Sequence, residues 1–301
     1  MKISAYLFLL VSFFISCNSN DDGSLDETII DTAEDLNNEI SLENNIDAPF
    51  EINIDDSDLV VLDKDSGGNH TAYPLGSTAA NFGHYVYTPS GYTEDGPEYP
   101  LLIFLHGWSS NMGNEPLENV LLSGPPRLIQ SGEWKPTHPF IVVSPQLTGV
   151  YWSPNQTHKF IEYLISAYQI NVDRIYLTGL SLGGGGCWYY VGEIEDNYAT
   201  AIVPISASGA EYLIDKLREV PIWAFHGQRD TTVEAYDNFG SVPLVKAINL
   251  TDPIIKARVT VYPNLGHNAW TTTYNGAGRN HNQKHDKFDV DIYDWMLSYK
   301  K

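Results

Sequence analysis

The pentapeptide Gly179-Leu180-Ser181-Leu182-Gly183 constrains the fold of this 301-residue chain more than any other feature. The apolar run 174–178 before it predicts a short buried strand, and residues 184–190 after it can continue as a helix. Between a strand and a helix, a G-x-S-x-G segment forms a sharp, strained turn that lifts the serine hydroxyl out of the backbone. The flanking glycines suit that turn because it leaves no room for a Cβ atom. Ser181 is therefore a candidate nucleophile.

A serine nucleophile needs a base to take its proton and an acid to hold that base in its working tautomer. Asp230 lies in the loop after the strand predicted at 221–225, and His267 lies in the loop after the strand predicted at 257–262. The chain order serine, acid, histidine fits a nucleophile carried on a strand–turn–helix segment. The sequence therefore predicts the triad Ser181, Asp230 and His267. The alternatives are that Asp230 only caps a helix and that His267 is a surface residue.

Two other carboxylates, Glu234 and Asp237, follow Asp230 closely in the sequence. The sequence predicts a helix that begins near Thr231, which would place both of them on a solvated helix surface. Only Asp230 follows the predicted strand directly, so we expect Asp230 to be the third member of the triad.

An acyl-transfer site also needs donors for the negative oxygen that develops during attack. The apolar run 99–105 predicts a strand, and His106-Gly107-Trp108 follows it. A backbone N–H in the loop after such a strand, together with the N–H of the residue after the nucleophile, commonly forms this site. Trp108 and Leu182 are the candidates. The alternative is that His106-Gly107 is simply a turn.

Further apolar runs alternate with helical or loop segments along the chain. This alternation predicts an α/β fold with a mostly parallel central sheet and helices on both faces. Covering helices are expected at 160–167 and 287–299, where the apolar residues have helical spacing. The predicted strands lie near 83–88, 101–105, 140–144, 174–178, 201–205, 222–226 and 257–262.

The segments LLIFLHGW, PFIVVSPQ, DRIYLTGLSLGG, AFHGQRD and NLGH resemble the α/β-hydrolase superfamily. They are most similar to its secreted bacterial esterases of the polyhydroxybutyrate-depolymerase, feruloyl-esterase and predicted-peptidase branch, over about residues 80–300. The resemblance implies the α/β-hydrolase fold and a serine carboxylesterase that uses no cofactor and no metal. It implies catalytic roles for Ser181, Asp230 and His267, and oxyanion-binding roles for Trp108 and Leu182. The glycine run 184–186 departs from the family pattern.

Aromatic residues are frequent in the loops expected at the catalytic edge, and their faces can stack on sugar rings or on aromatic acids. Candidate substrate-binding residues are Gln146, Trp152 and Trp270, although Gln146 could instead cap a turn and the tryptophans could belong to the edge of the core. The expected substrate is an acetylated or feruloylated polysaccharide or oligosaccharide outside the cell. A serine peptidase with the same triad and a non-catalytic surface glycan-binding protein are the alternatives. Trp108, Tyr151 and Tyr274 complete the aromatic set.

The amino terminus predicts export. Lys2 precedes a short apolar stretch that ends at Phe14-Ile15-Ser16-Cys17, which resembles a bacterial lipoprotein signal. Residues 1–16 are therefore predicted to be a signal peptide and Cys17 to carry a lipid. The expected location is a bacterial membrane, either the outer membrane or the cell surface. An ordinary signal peptide, with a secreted or periplasmic protein, is the alternative.

Residues 18–66 contain sixteen Asp or Glu and one Lys, so most of the formal charge of −21 lies in this stretch. Such an acidic and polar composition cannot bury enough apolar surface to fold. We therefore expect a disordered tether over 17–66 and a single catalytic domain over 67–301. An acidic domain offers no electrostatic basis for binding nucleic acid.

Overall fold

One sheet of nine strands organises the part of the chain that the structure describes. The structure is a computed structural model, and it describes residues 50–61, 67–108 and 115–301, all of which fall in one compact unit. The strands are β1 (Asn69–Tyr73), β2 (His84–Thr88), β3 (Tyr99–Leu105), β4 (Ile141–Pro145), β5 (Ile170–Leu180), β6 (Ala201–Ile205), β7 (Trp223–Gly227), β8 (Arg258–Tyr262) and β9 (Lys284–His285).

The strand order across the sheet is β1-β2-β4-β3-β5-β6-β7-β8-β9. The pairs from β4 to β8 are parallel, whereas β1, β2 and β9 join antiparallel at the two edges. Every residue of β3, β4, β6 and β7 is buried. Continuous apolar runs form such strands because a parallel sheet is covered on both faces.

The described residues form seven helices on the sheet: α1 (Gly124–Gln130), α2 (Pro154–Ala167), α3 (Leu182–Glu193), α4 (Ile214–Leu217), α5 (Ser241–Leu250), α6 (Trp270–Tyr274) and α7 (Ile292–Leu297). Three 3₁₀ helices, at Leu117–Leu122, Glu211–Leu213 and Ala277–Asn280, lie in the connections. Within the described ranges, none of the helices is both long and apolar enough to cross a bilayer.

The apolar core forms two layers, one on each face of the sheet. Strand β3 shows the division, because Leu101 and Ile103 point into one layer whereas Leu102 and Phe104 point into the other. This alternation follows from the period of two in a strand. The predicted fold class, a mostly parallel sheet with helices on both faces, is confirmed.

Two predicted helices differ from the structure. The helix expected over 287–299 is confined to α7, because the side chain of Asp291 accepts the N–H of Tyr293 at 2.8 Å and fixes the helix start there. The helix expected near Thr231 is absent. That stretch is an irregular loop, and the next helix, α5, begins only at Ser241.

Residues 50–61 contradict the last part of the predicted tether. Leu59 is buried in the core, and the guanidinium of Arg174, itself fully buried, donates to both carboxylate oxygens of Asp58 at 2.8 and 3.0 Å. The hydrogen bonds from Arg174 lower the pKa of Asp58. A buried guanidinium needs such a partner, so this acidic stretch packs on the domain. The rest of the predicted tether, the signal peptide and Cys17 lie outside the described residues.

Candidate active site

The turn between β5 and α3 holds Ser181 in a strained conformation. Its φ is 53° and its ψ is −120°, in a region that residues with a side chain rarely adopt. A Cβ atom at Gly179 would lie 2.5 Å from the carbonyl of Gly183, and one at Gly183 would lie 1.9 Å from the carbonyl oxygen of Leu105. Glycine is therefore required on both sides of Ser181. The strain exposes its hydroxyl above the end of the sheet.

A chain of hydrogen bonds links the three residues that the sequence singled out. The Nε2 atom of His267 lies 2.9 Å from the Oγ of Ser181, and its Nδ1 atom lies 2.7 Å from the Oδ2 of Asp230. The three residues follow β5, β7 and β8, so the parallel strands bring them to one edge. Each distance permits proton transfer between the groups that it joins.

The loop after β7 keeps the Asp230 carboxylate in place and charged. Its Oδ1 accepts the backbone N–H groups of Thr232 and Val233 at 2.9 and 3.0 Å. Burial alone would raise the pKa of Asp230, but hydrogen bonds from His226, His267 and the two N–H groups outweigh it and lower the pKa well below its usual range. Asp230 therefore shapes its own loop as well as holding His267.

His226 is a neighbour of this site that sequence reasoning missed. It is fully buried in β7, and its Nε2 lies 2.8 Å from the carbonyl oxygen of Val233 and 3.2 Å from the Oδ2 of Asp230. Its Nδ1 lies 2.8 Å from the Oγ of Ser241. Two acceptors face Nε2, so that nitrogen carries a proton. The sequence feature that could have identified it is the HG-x-x-D segment, in which the histidine stands four residues before Asp230.

The loops that carry Asp230 and His267 are tied together. A Cβ atom at Gly227 would lie 2.1 Å from the carbonyl oxygen of Gly266, which shows how closely the two backbones approach. The N–H of Arg229 donates to the carbonyl of Leu265 at 2.9 Å. The separation of the acid and the histidine is therefore fixed by backbone contacts.

His106 fixes the peptide that precedes Trp108. The N–H of Leu147 donates to its Nε2 at 2.9 Å, so Nδ1 carries the proton and donates to the carbonyl of Gly107 at 2.7 Å. Burial lowers the pKa of His106 to about 4, which keeps it neutral at pH 7. In a trans peptide the N–H points opposite to the C=O, so the N–H of Trp108 points away from His106.

Gly107 also lies against the nucleophile turn. A Cβ atom there would lie 2.6 Å from Leu180 and 3.3 Å from the Cβ of Ser181. The second candidate donor, the N–H of Leu182, belongs to the first residue of α3, and the first N–H groups of a helix have no partner inside it. Both candidate donors therefore lie beside Ser181.

A cavity of about 530 Å³ opens at Ser181. Four of the twelve described residues that line it are aromatic, and one of the twelve, Glu193, carries a carboxylate. The residues lining it are Trp108, Tyr151, Trp152, Pro154, Ser181, Leu182, Gly185, Gly186, Tyr189, Glu193, Ser208 and Val233. Trp152, expected to bind substrate, lines this cavity, and its indole N–H donates to the carbonyl of His106 at 3.0 Å.

Three other residues expected near the substrate do not line this cavity. The amide of Gln146 is buried and donates to the carbonyl of Glu115 at 2.9 Å, so it holds a turn. Trp270 packs edge-on against the ring of His267, with 5.2 Å between ring centroids. Tyr274 is buried in the core and pairs with the hydroxyl of Thr178 at 2.8 Å. The sequence could not show where these side chains point. Each residue lies in or just after a helix or strand, and the way that element packs on the rest of the domain decides the direction.

Glu234 and Asp237 are exposed in the loop between β7 and α5. The Oδ1 of Asp237 accepts the N–H of Asn238 at 2.7 Å. Among the described residues, no three or more His, Cys, Asp or Glu side chains are grouped to hold a metal ion.

Sequence comparison with protein-family models and with curated proteins gives no match. Solved structures do match. A thermostable esterase matches with a TM-score of 0.56 and 24% identity, over 79% of this chain and 64% of that chain. This chain therefore spans less than two thirds of the length of that esterase.

Two further structures match over most of their own length. A mutant of the feruloyl esterase module from Clostridium thermocellum, complexed with sinapinate, has a TM-score of 0.52 and 17% identity, over 83% of this chain and 96% of that chain. A truncated carbohydrate esterase from gut microbiota has a TM-score of 0.52 and 15% identity, over 78% of this chain and 98% of that chain. These likenesses show the α/β-hydrolase fold, and the fold implied by the sequence resemblance is confirmed.

Proposed function

We propose that this protein is a serine hydrolase that cleaves carboxylic esters through an acyl-enzyme. The observation that carries the proposal is the hydrogen-bonded chain from the strained Ser181 hydroxyl through His267 to the buried Asp230. A strained nucleophile, a histidine in contact with it and a carboxylate behind that histidine are the parts that acyl transfer requires.

In the first half-reaction, the Oγ of Ser181 attacks the ester carbonyl carbon while Nε2 of His267 takes the hydroxyl proton. Asp230 holds the Nδ1–H of His267 and stabilises the imidazolium that forms. His267 then gives its proton to the leaving alcohol, and the C–O bond breaks to leave an acylated serine. In the second half-reaction, His267 takes a proton from water as the water oxygen attacks the acyl carbon. The bond between that carbon and Oγ of Ser181 then breaks while His267 gives the proton to Oγ, which releases the acid and restores the serine.

The N–H groups of Trp108 and Leu182 are proposed to hold the negative oxygen of both tetrahedral intermediates. One such preset donor contributes about 3 kcal/mol of transition-state stabilisation. The hydrogen bond from His106 to Gly107 presets the orientation of the Trp108 N–H, so no reorganisation is needed when charge develops.

Esters on carbohydrates are the proposed substrates, with acetyl or feruloyl groups as the acyl part. Aromatic walls around Ser181 support this, because aromatic faces stack on sugar rings and on phenolic acids. Two of the structural neighbours are a feruloyl esterase module and a carbohydrate esterase, which is consistent with this proposal.

A substrate panel tests the proposal. The purified protein and Ser181→Ala would be assayed on 4-nitrophenyl acetate, acetylated sugars, methyl ferulate and aminoacyl 4-nitroanilides. We expect turnover of the esters, little turnover of the amides, and loss of ester hydrolysis in the folded variant. Faster amide than ester hydrolysis would favour a peptidase, and unchanged activity in Ser181→Ala would rule out the proposed nucleophile.

We also propose that a lipid on Cys17 holds the enzyme at the outside of a bacterial membrane. The support is the sequence alone: the apolar stretch before Cys17 and the polar residues after it. The test is Cys17→Ser expressed in a bacterial host, followed by membrane fractionation. We expect the variant to leave the membrane fraction or to remain uncleaved, since serine offers no thiol for the lipid. Unchanged processing and membrane association would contradict lipidation.

A further inference from the structure

Helix α3 presents one stripe of residues to solvent, and that stripe lines the cavity. Leu182, Gly185, Tyr189 and Glu193 recur at intervals of three and four residues, which places them on one side of the helix. The cavity therefore continues from Ser181 along the helix to its last residue. From Leu182 to Glu193 the helix rises about 17 Å.

Packing accounts for two glycines of the run 184–186 but not for the third. A Cβ atom at Gly184 would lie 2.6 Å from the Cβ of Ala207, and one at Gly186 would lie 2.8 Å from the Cβ of Trp152. At Gly185 the nearest atom, the carbonyl oxygen of Ser208, would be 3.7 Å away, which is an ordinary contact. A glycine inside a helix costs up to about 1 kcal/mol relative to alanine. Among the described residues, no close contact explains that cost at Gly185.

The position of Gly185 in the cavity supplies a reason. It lies one helical turn beyond Ser181, and without a side chain it leaves the floor of the cavity open between Ser181 and Tyr189. Any larger residue at Gly185 would project into the space that a ligand must cross to reach the far end.

The far end of the cavity carries an acceptor of hydrogen bonds. The hydroxyl of Tyr212 donates to Oε1 of Glu193 at 2.8 Å, and the ring of Tyr212 lies 6.4 Å from that of Tyr189. Burial and the hydrogen bond to Glu193 raise the pKa of Tyr212 to about 12, so this hydroxyl stays a donor at neutral pH. Glu193 is the single charged residue among the described lining residues.

We propose that this groove along α3 binds the saccharide part of the substrate, with Gly185 as its open floor. A neutral sugar chain would stack on Tyr189 and donate hydroxyl hydrogens to Glu193. The length of the groove suits a trisaccharide better than a single sugar, and the carboxylate of Glu193 disfavours acidic sugars. The inference rests on the proposed esterase activity and adds a substrate class and two specificity-determining positions to it.

Chain-length dependence tests the proposal. The kcat/KM values of the wild type would be compared for acetylated xylose, acetylated xylotriose and an acetylated trisaccharide that contains a uronic acid, with 4-nitrophenyl acetate as the reference ester. We expect the neutral trisaccharide to exceed the monosaccharide by roughly tenfold, the gain expected from one or two stacking contacts. Gly185→Leu should abolish the preference for the neutral trisaccharide over the monosaccharide, and Gly185→Ala should reduce that preference.

A second variant and its control test the role of the Glu193 carboxylate at the far end of the groove. Glu193→Gln should raise the kcat/KM for the acidic trisaccharide relative to the neutral one. The control is Glu195→Gln, because Glu195 is exposed, pairs with Lys216 at 2.7 Å and does not line the cavity. It should keep the wild-type ratio.

The outcomes separate the two proposals. If the wild type hydrolyses 4-nitrophenyl acetate but shows no preference for the trisaccharide, the groove proposal is wrong and the esterase proposal stands. The same holds if the preference for the neutral trisaccharide survives in Gly185→Leu, or if Glu193→Gln leaves the ratio of acidic to neutral trisaccharide unchanged. If the folded wild type hydrolyses no ester at all, the proposed function fails and this inference fails with it.

Discussion

At the residue scale, the Asp230 carboxylate combines a structural role with its proposed catalytic one. One oxygen closes the loop by accepting the N–H groups of Thr232 and Val233, and the other faces both His267 and His226. No helix begins after Asp230, so the helix-capping alternative is not what the structure shows; Asp230 closes a loop with one oxygen and faces His267 with the other.

Changing Asp230 to asparagine should therefore lower activity far more than the same kind of change at the nearby carboxylates. Asp230→Asn removes the charge that holds the Nδ1–H of His267, and we expect kcat to fall by about 10⁴. Glu234→Gln and Asp237→Asn are matched controls, since both side chains are exposed, and they should stay near wild type. Steady-state kinetics with circular dichroism checks the prediction. A severe loss in Glu234→Gln with an active Asp230→Asn would reverse the assignment.

His226 should act through Asp230 as a positioning residue. Its Nε2–H faces the same carboxylate oxygen that holds His267. His226→Leu should lower kcat by roughly 10-fold to 100-fold with little change in KM, because a hydrogen bond to a charged group contributes about 1.5–3 kcal/mol. His226→Gln keeps an N–H donor and should recover part of the loss. Equal losses in the two variants would indicate a packing role alone.

At the scale of the elements, the β5–α3 junction is built on glycines with different functions. Gly179 and Gly183 let the strand and the helix approach, whereas Gly185 faces open space. Sequence reasoning could predict the turn because G-x-S-x-G has a local cause. It could not distinguish among the glycines of α3, because their roles depend on what packs above the helix.

Alanine substitutions should reveal this difference. Gly183→Ala would force a Cβ to within 1.9 Å of the Leu105 carbonyl, so we expect a large loss of stability, above about 2 kcal/mol. Gly185→Ala meets no close atom and should raise the free energy of unfolding, by up to about 1 kcal/mol. Urea denaturation of both variants gives the values. A destabilised Gly185→Ala would show that packing, not an open floor, requires that glycine.

The predicted central strands agree with the structure because their apolar runs are a local property. The edge strands β1 and β9 were missed, since β1 is mostly exposed and β9 has only two residues. The helix expected near Thr231 is absent, although Oδ1 of Asp230 accepts the N–H groups of Thr232 and Val233 as the side chain of a helix cap would. The partners of Gln146 and Trp270 could not be predicted either, since only the packed structure determines them.

At the scale of the whole molecule, buried neutral histidines couple folding to pH. His84 and His106 are both fully buried, and burial lowers the pKa of each; for His106 the value falls to about 4. The unfolded chain takes up protons below about pH 6.5, where these folded histidines do not. Their contribution to stability is therefore complete above pH 6.5 and is lost as the pH falls, which for His106 extends down to about pH 4.

The free energy of unfolding should thus decrease as the pH falls from 6.5 to 5, with His106 contributing up to about 1.4 kcal/mol per pH unit and His84 adding to the slope in the same direction. His84→Phe should reduce this slope by the share of one histidine. His281→Gln is the control, because His281 is exposed, and it should keep the wild-type slope. Urea titrations at several pH values measure the slope of the free energy of unfolding against pH for each variant. An unchanged slope in His84→Phe would show that His84 does not exclude protons in the folded state.

Labelling of Ser181 by an organophosphate such as diethyl 4-nitrophenyl phosphate, followed by intact-mass and peptide mass spectrometry, tests the central claim most directly. We predict one adduct, on the peptide that contains Ser181, with labelling absent from Ser181→Ala and much slower in His267→Ala. Ser208→Ala, which changes another serine lining the same cavity, should label like the wild type. An adduct that persists in Ser181→Ala, or a rate of labelling that does not depend on His267, would contradict the account.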